Sequence, residues 1–277
     1  MIVVGVDGSE QARAAVEWAA DDAFRMREPL RIVHAVDRWP YDISKFPVTS
    51  DPLLDGGRKV LAEAEAVARS RQPGVEVSTE QLEGGPGRTL REQDKDASEI
   101  VVGTRGLGGF AAAMLGSVSL FVAGHAECPV VVVRDRQEPV TGRVVVGVDD
   151  SPSSDAALAY AFDQAVRRGA TLVAVHAWQL PVHAYAPGIP YDMDEIRKEQ
   201  HQTIVNRLAV YSARYPELKV VHELPTSHPV DALVSQPADL LVVGSHGRGS
   251  VGAALLGSVS HGVLHHARCT VAVVRGR

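Results

Sequence analysis

The chain has 277 residues, of which 45% are hydrophobic, and carries a formal net charge of −6. This length predicts about two domains, and the apolar content is typical of a globular protein with a real core. The acidic balance gives no reason to expect nucleic acid or an anionic membrane as a partner. The apolar runs are shorter than the roughly 20 residues of a membrane span, and the chain opens on a strand-like run instead of a signal peptide. We therefore expect a cytoplasmic location.

The first half of the sequence recurs in the second half. Residues 3–9 (VVGVDGS) reappear as 145–151 (VVGVDDS), an offset of 142. Residues 116–119 (GSVS) reappear as 257–260, an offset of 141. A period near 140 residues is too long for a solenoid unit and indicates two copies of one domain.

The predicted domains cover residues 1–136 and 143–277, joined by a polar linker near residues 134–142. Strands are predicted in the first copy at residues 2–7, 30–36, 75–82, 100–103 and 130–133. Helices are predicted there from the Ser9 N-cap to about residue 27, at 53–71 and at 117–126. Loops are predicted at 37–52 and at 85–94, and the second loop leads to a short helix. In the second copy, strands are predicted near 143–149, 171–177, 218–224, 239–244 and 270–274. Strands that alternate with helices indicate an α/β fold with a doubly wound parallel sheet in each copy.

A glycine-rich loop with the pattern G-x2-G-x9-G-S follows the fourth predicted strand of each copy and leads into a helix. Glycines let a phosphate group approach the bare backbone, and the helix N-terminus attracts anions. We expect the serine to cap the helix and to donate its hydroxyl to a phosphate. The alternative is that the loops serve turn geometry alone. The pattern comprises Gly103, Gly106, Gly116 and Ser117 in the first copy, and Gly244, Gly247, Gly257 and Ser258 in the second.

An aspartate ends the first predicted strand of each copy, at Asp7 and Asp149. Ligands of open parallel sheets bind at the carboxyl ends of the strands, where the strand order reverses. If the first and fourth strands are neighbours, each aspartate shares a crevice with a glycine loop. The carboxylate would accept a hydrogen bond from a ribose hydroxyl or hold a metal ion beside phosphates. The alternative is a turn or helix-capping role.

The remaining polar candidates favour structural roles. His261 and His265 have the i, i+4 spacing of metal ligands, but the first copy has Leu120 and Gly124 there and no third ligand is evident. We therefore favour a solvated or interface face for them. Four other side chains are expected to be buried or part of the core: Cys128, Cys269, His34 and His176.

Several catalytic signatures are missing from the sequence. There is no G-x4-G-K-[ST] motif, neither loop contains a lysine, and no motif places a catalytic serine or cysteine with a histidine. Arg105 in the first copy and Arg248 in the second are the nearby cations. Because phosphoryl transfer needs charge neutralisation, the pattern favours nucleotide binding over turnover.

These motifs resemble those of the universal stress proteins, in the tandem form common in actinobacteria. The resemblance rests on V-G-V-D-[GD]-S at the start of each copy, V-V-G-[ST]-[RH]-G before the spacer, and L-G-S-V-S after it. It covers nearly the whole chain twice, and the G-x2-G-x9-G-[ST] pattern is the signature of the ATP-binding branch. The resemblance implies the adenine nucleotide alpha-hydrolase-like fold, with strand order 3-2-1-4-5 in each domain and domain pairing through the fifth strands.

The resemblance also implies a set of nucleotide contacts. Adenine and ribose contacts fall on Asp7 and the Ala35 backbone in the first copy, and on Asp149 and Ala177 in the second. Gly5 and Gly147 adjoin these contacts, and Val102 and Val243 precede the loops. Phosphate contacts fall on Gly103, Gly106, Gly116, Ser117 and Val118, and on Gly244, Gly247, Gly257, Ser258 and Val259. Arg248 joins the second set, where the first copy has Leu107.

The leading interpretation is an ATP-binding stress-response protein that senses nucleotide, with or without Mg²⁺, and hydrolyses it little or not at all. One alternative is a slow Mg²⁺-dependent ATPase or nucleotidyl-transfer enzyme that uses Asp7 or Asp149. Another is a dimerisation module with vestigial sites. The halves are expected to form an internal pseudo-dimer, and a further homodimer and an unidentified regulatory protein partner remain open. Arg105 stands where the second copy has His246, so the two sites are expected to differ in affinity for phosphates.

Overall fold

The structure is a computed structural model. It describes residues 1–37, 51–107, 115–134, 140–149, 151, 153–178, 192–247 and 256–276. Its strands are β1 (Ile2–Gly5), β2 (Leu30–Val36), β3 (Val77–Glu83), β4 (Glu99–Gly103), β5 (Val130–Val133), β6 (Arg143–Gly147), β7 (Thr171–Val175), β8 (Val220–Glu223), β9 (Leu240–Gly244) and β10 (Thr270–Val274). Its helices are α1 (Glu10–Met26), α2 (Pro52–Arg71), α3 (Pro86–Glu92), α4 (Ser117–His125), α5 (Ser153–Arg168), α6 (Met193–Ser212), α7 (Pro229–Val234) and α8 (Ser258–His266).

All ten strands form one sheet with the order β3-β2-β1-β4-β5-β10-β9-β6-β7-β8. Each half therefore has the order 3-2-1-4-5, and its strands pair in parallel, as predicted. The two halves meet where β5 and β10 pair antiparallel, with Val131 opposite Ala272. This is the fifth-strand pairing that the family resemblance implies.

Helices cover both faces of the sheet, which explains why its central strands are almost wholly apolar. One face packs against α1, α2, α5 and α6, and the other against α3, α4, α7 and α8. The first helix begins as predicted, because the Ser9 hydroxyl oxygen accepts a hydrogen bond from the Ala12 N–H at 3.1 Å. It ends at Arg27, whose φ of 57° is left-handed and stops the helix.

Some predicted boundaries differ from the structure. The first strand ends at Gly5 and not at residue 7, because Asp7 already turns the chain by accepting a hydrogen bond from the Ser9 N–H at 3.0 Å. The second helix starts at Pro52, which follows an Asp51 cap. The predicted loop at 85–94 is wrong, because Pro86–Glu92 forms α3, with the proline in the first turn, where its missing N–H costs no helical hydrogen bond. Most of the predicted loop at 37–52 lies outside the described residues, and so do residues 135–139 of the predicted linker.

A buried polar cluster joins α1 and α5 near the amino ends of the strands. Arg168 of α5 donates to both carboxylate oxygens of Asp22 of α1, at 2.6 and 2.8 Å. Tyr160 of α5 donates to Glu99 at the start of β4, at 2.5 Å, and among the described residues the other Glu99 carboxylate oxygen has no hydrogen-bond partner. Asp22 and Glu99 are almost completely buried, so the contact between the halves contains acidic groups in an apolar setting.

Across the described ranges, no helix is long and apolar enough to cross a membrane.

Candidate functional site

The first crevice lies where the strand order reverses, between the carboxyl ends of β1 and β4. These strands are neighbours, with Val4 opposite Val101. Asp7 follows β1 and meets the glycine loop that follows β4, because the Leu107 N–H donates to Asp7 Oδ2 at 2.8 Å. The other carboxylate oxygen of Asp7 accepts from Ser9. The structure thus brings together the aspartate and the loop, which are about 100 residues apart in the sequence.

Gly106 is required by the close approach of the loop to Asp7. A Cβ atom at position 106 would overlap Asp7 Oδ2, so any larger residue would push the loop or the carboxylate away. The second copy repeats this arrangement. A Cβ atom at Gly247 would lie 2.8 Å from Asp149 Oδ2, and Asp149 Oδ1 accepts from the N–H and the hydroxyl of Ser151 at 2.9 and 2.5 Å.

In each copy, a backbone hydrogen bond joins the last glycine of the loop pattern to the residue that follows its first glycine. The Gly116 N–H donates to the Thr104 carbonyl at 2.7 Å, and the Gly257 N–H donates to the Ser245 carbonyl at 2.8 Å. In the first copy, the Ser119 hydroxyl also donates to the Gly103 carbonyl at 2.6 Å. These bonds fix where each loop leaves its strand and enters its helix. Residues 108–114 and 248–255 of the loops, including Arg248, lie outside the described residues.

The N-termini of α4 and α8 differ from the prediction. Gly116 and Gly257 are the N-cap residues, and neither makes a side-chain capping bond. The expected caps, Ser117 and Ser258, are instead the first residues of the helices. Neither helix has an acidic residue in its first turn. The positive end of each helix therefore faces its crevice without a carboxylate of its own to neutralise it.

Three of the predicted site glycines, each at the end of a strand, pack against residues of a helix. A Cβ atom at Gly103 would lie 2.7 Å from the carbonyl oxygen of Gln11 in α1. A Cβ atom at Gly5 would lie 2.6 Å from a Leu90 methyl carbon of α3, and one at Gly147 would lie 3.0 Å from Leu233 of α7. Close packing of helices on the strand ends is therefore a reason for glycine at these positions that is independent of any ligand.

The other predicted site residues surround the two crevices. Gly5 pairs with Val33, so Ala35 lies two residues further along β2, at the same edge as Asp7. The second copy has Gly147 opposite Val175, which places Ala177 in the equivalent position. Val102 and Val243 are buried in the strands. Gly244 ends β9, and Val118 and Val259 lie in the first turns of α4 and α8.

Arg207 of α6 is a residue at the second crevice that the sequence did not reveal. It donates to the backbone carbonyls of Asp149 and Ser151 at 2.6 and 2.7 Å, and to the Asp155 carboxylate at 2.9 Å. It therefore fixes the turn that presents Asp149. No local pattern predicts this role, because the arginine is more than 50 residues away and its position in a helix is unexceptional.

Of the four side chains expected to be buried or part of the core, His176 is buried, whereas His34, Cys128 and Cys269 are half-buried. His34 Nδ1 lies 2.8 Å from the Val6 carbonyl oxygen, and His176 Nδ1 lies 2.8 Å from that of Val148, so each ring links two strand ends. Cys128 and Cys269 are free thiols, and burial raises their pKa values to about 12 and about 11.

The rings of His261 and His265 are in contact but tilted, with centroids 4.5 Å apart and an interplanar angle of 40°. Burial and the neighbouring His261 lower the pKa of His265. The parts of the chain that the structure describes contain no group of three His, Cys, Asp or Glu side chains able to hold a metal ion. His246 in the second loop contacts the Ser245 hydroxyl through Nδ1 at 2.9 Å, where the first copy has Arg105.

Two doubly wound α/β units, each with a glycine loop and a carboxylate at the carboxyl edge of its sheet, define a class of proteins with ligand crevices at the strand ends. Residues 1–134 and 141–275 each match the sequence model of the universal stress protein family, and the chain belongs to this family.

Relatives of full length support the assignment. A universal stress protein of Mycobacterium tuberculosis (strain H37Rv) is 39% identical over 291 residues, covering 99% of this chain and 96% of the relative. A second one from the same strain is 38% identical over 286 residues, with the same coverage. The crystal structure of a universal stress protein from Archaeoglobus fulgidus covers 99% of this chain and 96% of its own, with a TM-score of 0.70 and 22% identity. The shared fold is the adenine nucleotide alpha-hydrolase-like fold.

Proposed function

We propose that each half, residues 1–136 and 143–277, binds an adenine nucleotide, ATP, and that the protein is a nucleotide sensor of the stress response with little or no hydrolysis. One observation carries the proposal. In both halves the first residues of a glycine loop lie against the carboxylate of a strand-end aspartate. The helix that follows the loop has no side-chain cap at its N-terminus. Family membership supports the same reading. We propose that the protein acts in the cytoplasm and that a regulatory protein partner recognises its nucleotide-bound state.

The chemistry of the crevice suits a ribose and a phosphate chain. Asp7 Oδ2 accepts a hydrogen bond from the Leu107 N–H, and a ribose hydroxyl is a donor that would take this place. The first N–H groups of α4, from Ser117 and Val118, would donate to phosphate oxygens, aided by the helix dipole. The backbone near Ala35 would face the adenine. In the second half, Asp149, Ser258, Val259 and Ala177 would have the same roles.

The enzymatic alternative makes a different demand on the same aspartates. A slow Mg²⁺-dependent ATPase or nucleotidyl transferase would need Asp7 or Asp149 to hold the metal ion beside the phosphates. Steady-state phosphate release separates the two readings. We expect a rate near background that does not change in the Asp7→Ala, Asp149→Ala double variant. A clear rate that vanishes in this variant would favour the enzyme.

Blocking one loop at a time tests nucleotide binding directly. Isothermal titration of the wild-type chain with ATP should give two sites. Gly106→Glu should leave one, because its side chain would overlap the Asp7 carboxylate and add negative charge beside it. Gly247→Glu should likewise remove the other site. The matched control is Gly74→Glu, since Gly74 is exposed and has open space around it, and this variant should keep both sites. A wild-type chain that binds no nucleotide would contradict the proposal.

The single site left in Gly106→Glu and the single site left in Gly247→Glu should differ in affinity for phosphates. The first loop carries Arg105, whereas the second has His246 at this position and Arg248 two residues later. We expect the ATP dissociation constants of Gly106→Glu and Gly247→Glu to differ measurably, and more strongly at low salt, because the difference is electrostatic. Equal constants at every salt concentration would contradict this expectation.

A further inference from the structure

Two arginines cross between the halves. Arg134 directly follows β5, and its Nη2 donates to the Leu264 carbonyl of α8 at 2.5 Å. Arg275 directly follows β10, and its Nε donates to the Ala126 carbonyl at the end of α4 at 3.1 Å. Its Nη2 also donates to the Gly124 carbonyl of α4. Each arginine thus contacts the C-terminal end of a helix that belongs to the opposite half.

The two contacts are reciprocal because the arginines occupy equivalent positions of the repeat, 141 residues apart. The antiparallel pairing of β5 with β10 carries the end of each strand past the opposite half's loop helix. Each of these helices is only nine residues long and begins at a glycine loop. An arginine from one half therefore holds the far end of the helix whose N-terminus faces the crevice of the other half.

These helices lack a local device that would satisfy their last carbonyls. Their C-cap residues, Ala126 and Ala267, are extended instead of left-handed, and neither helix is followed by a capping glycine. A guanidinium supplies the missing donors and places positive charge at the negative end of the helix dipole. Burial lowers the pKa values of both Arg134 and Arg275, so the hydrogen bonds must offset a desolvation cost.

A second contact joins the same end of α4 to the opposite loop. Gly124 faces Leu256, and a Cβ atom on Gly124 would lie 3.8 Å from Leu256 Cγ. Leu256 immediately precedes Gly257, the N-cap of α8. The C-terminal end of α4 therefore accepts hydrogen bonds from the arginine that follows β10 and lies close to Leu256, the last residue before Gly257.

We propose that Arg275 and Arg134 are positioning residues that act across the interface: Arg275 sets the first crevice through α4, and Arg134 sets the second through α8. The inference rests on the proposed function, since it concerns the helices whose N-termini would hold the phosphates. Each crevice then depends on residues of both halves. Nucleotide bound in one crevice would act on a loop helix whose C-terminal end is held by an arginine of the opposite half.

The test is a crossed pattern of affinities measured by titration with ATP. Arg275→Gln in the Gly247→Glu background reports on the first crevice, and we expect binding about fivefold weaker or more. The same change in the Gly106→Glu background reports on the second crevice and should have a much smaller effect. Arg134→Gln should give the opposite pattern. A merely structural role would weaken the site of the arginine's own half or both sites equally, and either result would overturn the proposal.

Arg69→Gln is the matched control, because Arg69 also donates to a backbone carbonyl, that of Val77 at 3.0 Å, but within its own half. It should leave both affinities unchanged. If Arg275→Gln does not fold, Arg275→Lys retains the charge without the two-point contact and should show the same crossed pattern, more weakly.

Amide hydrogen exchange gives a readout that needs no nucleotide. In Arg275→Gln the last turn of α4 should exchange faster while α8 is unchanged, and in Arg134→Gln the reverse should hold. If the two variants exchange as predicted but the wild-type chain binds no ATP, the proposed function fails, and the positioning role fails with it. Unchanged ATP affinities in both arginine variants, with two-site binding intact in the parent chain, would overturn the positioning role alone.

Discussion

Glu99→Gln should stabilise the protein increasingly as the pH rises from about 5 to about 8. Burial is the main cause that raises the pKa of Glu99 from its usual 4.5 to about 8, and the negative charge of Asp22 adds to the effect. The hydrogen bond from Tyr160 and the positive charge of Arg168 act in the opposite direction without cancelling it. Glu28 is the remaining acidic neighbour that raises this pKa.

The sign of the effect follows from proton binding. Between pH 4.5 and about 8, folded Glu99 keeps a proton that the unfolded chain releases. The free energy of unfolding therefore falls in this window, by up to about 1.4 kcal/mol for each pH unit. Glutamine is neutral at every pH and still offers Tyr160 an acceptor, so the variant lacks this loss. Denaturant unfolding of both proteins at several pH values measures the difference.

The control for this prediction is Glu63→Gln, because Glu63 is an exposed carboxylate of α2. Its stability difference from wild type should stay nearly constant over the same pH range. A Glu99→Gln difference that does not grow between pH 5 and 8 would mean that Glu99 is ionised in the folded protein, contrary to its burial.

Phe162→Ala should lower the free energy of unfolding by about 3–5 kcal/mol, as large-to-small changes of buried aromatic residues do. Phe162 lies in α5 and is fully buried. Its ring stacks on those of Tyr211 and Tyr215, with centroids 5.4 and 5.8 Å away. The substitution would leave a cavity between α5 and the end of α6. Urea unfolding followed by circular dichroism measures the loss.

Val166→Ala provides the comparison on the same helix, one turn later. Val166 is 45% exposed, so its truncation should change stability by less than about 0.5 kcal/mol. Similar losses for the two variants would contradict the burial pattern of α5 and the packing of α6 against it.

The strand order is implied by the family resemblance, whereas the crevice could be predicted from the residues because the repeat doubles each local signal. Taken alone, Asp7 indicates only the end of a strand and Gly106 only a loop. The same pair recurs at Asp149 and Gly247, which makes a shared role of the two residues a stronger prediction. The strand order that the family resemblance implies then places the carboxyl ends of the first and fourth strands side by side. Ser117 is predicted to be the N-cap of α4, but the N-cap is Gly116, one residue earlier. Glycine is also an acceptable N-cap, so the sequence does not decide between the two positions.

The contacts between the halves could not be predicted in the same way. Arg275 and Gly124 are 151 residues apart, and an arginine after a strand has no local pattern that identifies its acceptor. Glu99 reads as an ordinary acidic residue at the start of a strand, and only the fold shows that Tyr160 of the other half buries it. Long-range partners of polar groups depend on packing geometry, which composition and periodicity do not encode.

The α1–α5 contact shows what the duplication allows. Positions 22 and 26 of the first half correspond to 164 and 168 of the second, yet Asp22 faces Arg168 while Gln164 faces Met26. A homodimer of identical chains would have to place the same side chains on both sides of its twofold axis. Because the halves share one chain, their association is also independent of protein concentration. A dimer of two first halves would place Asp22 opposite Met26 at both symmetry-related contacts, where Asp22 would have no arginine partner. The interface therefore favours pairing of the first half with the second half over pairing of either half with a copy of itself.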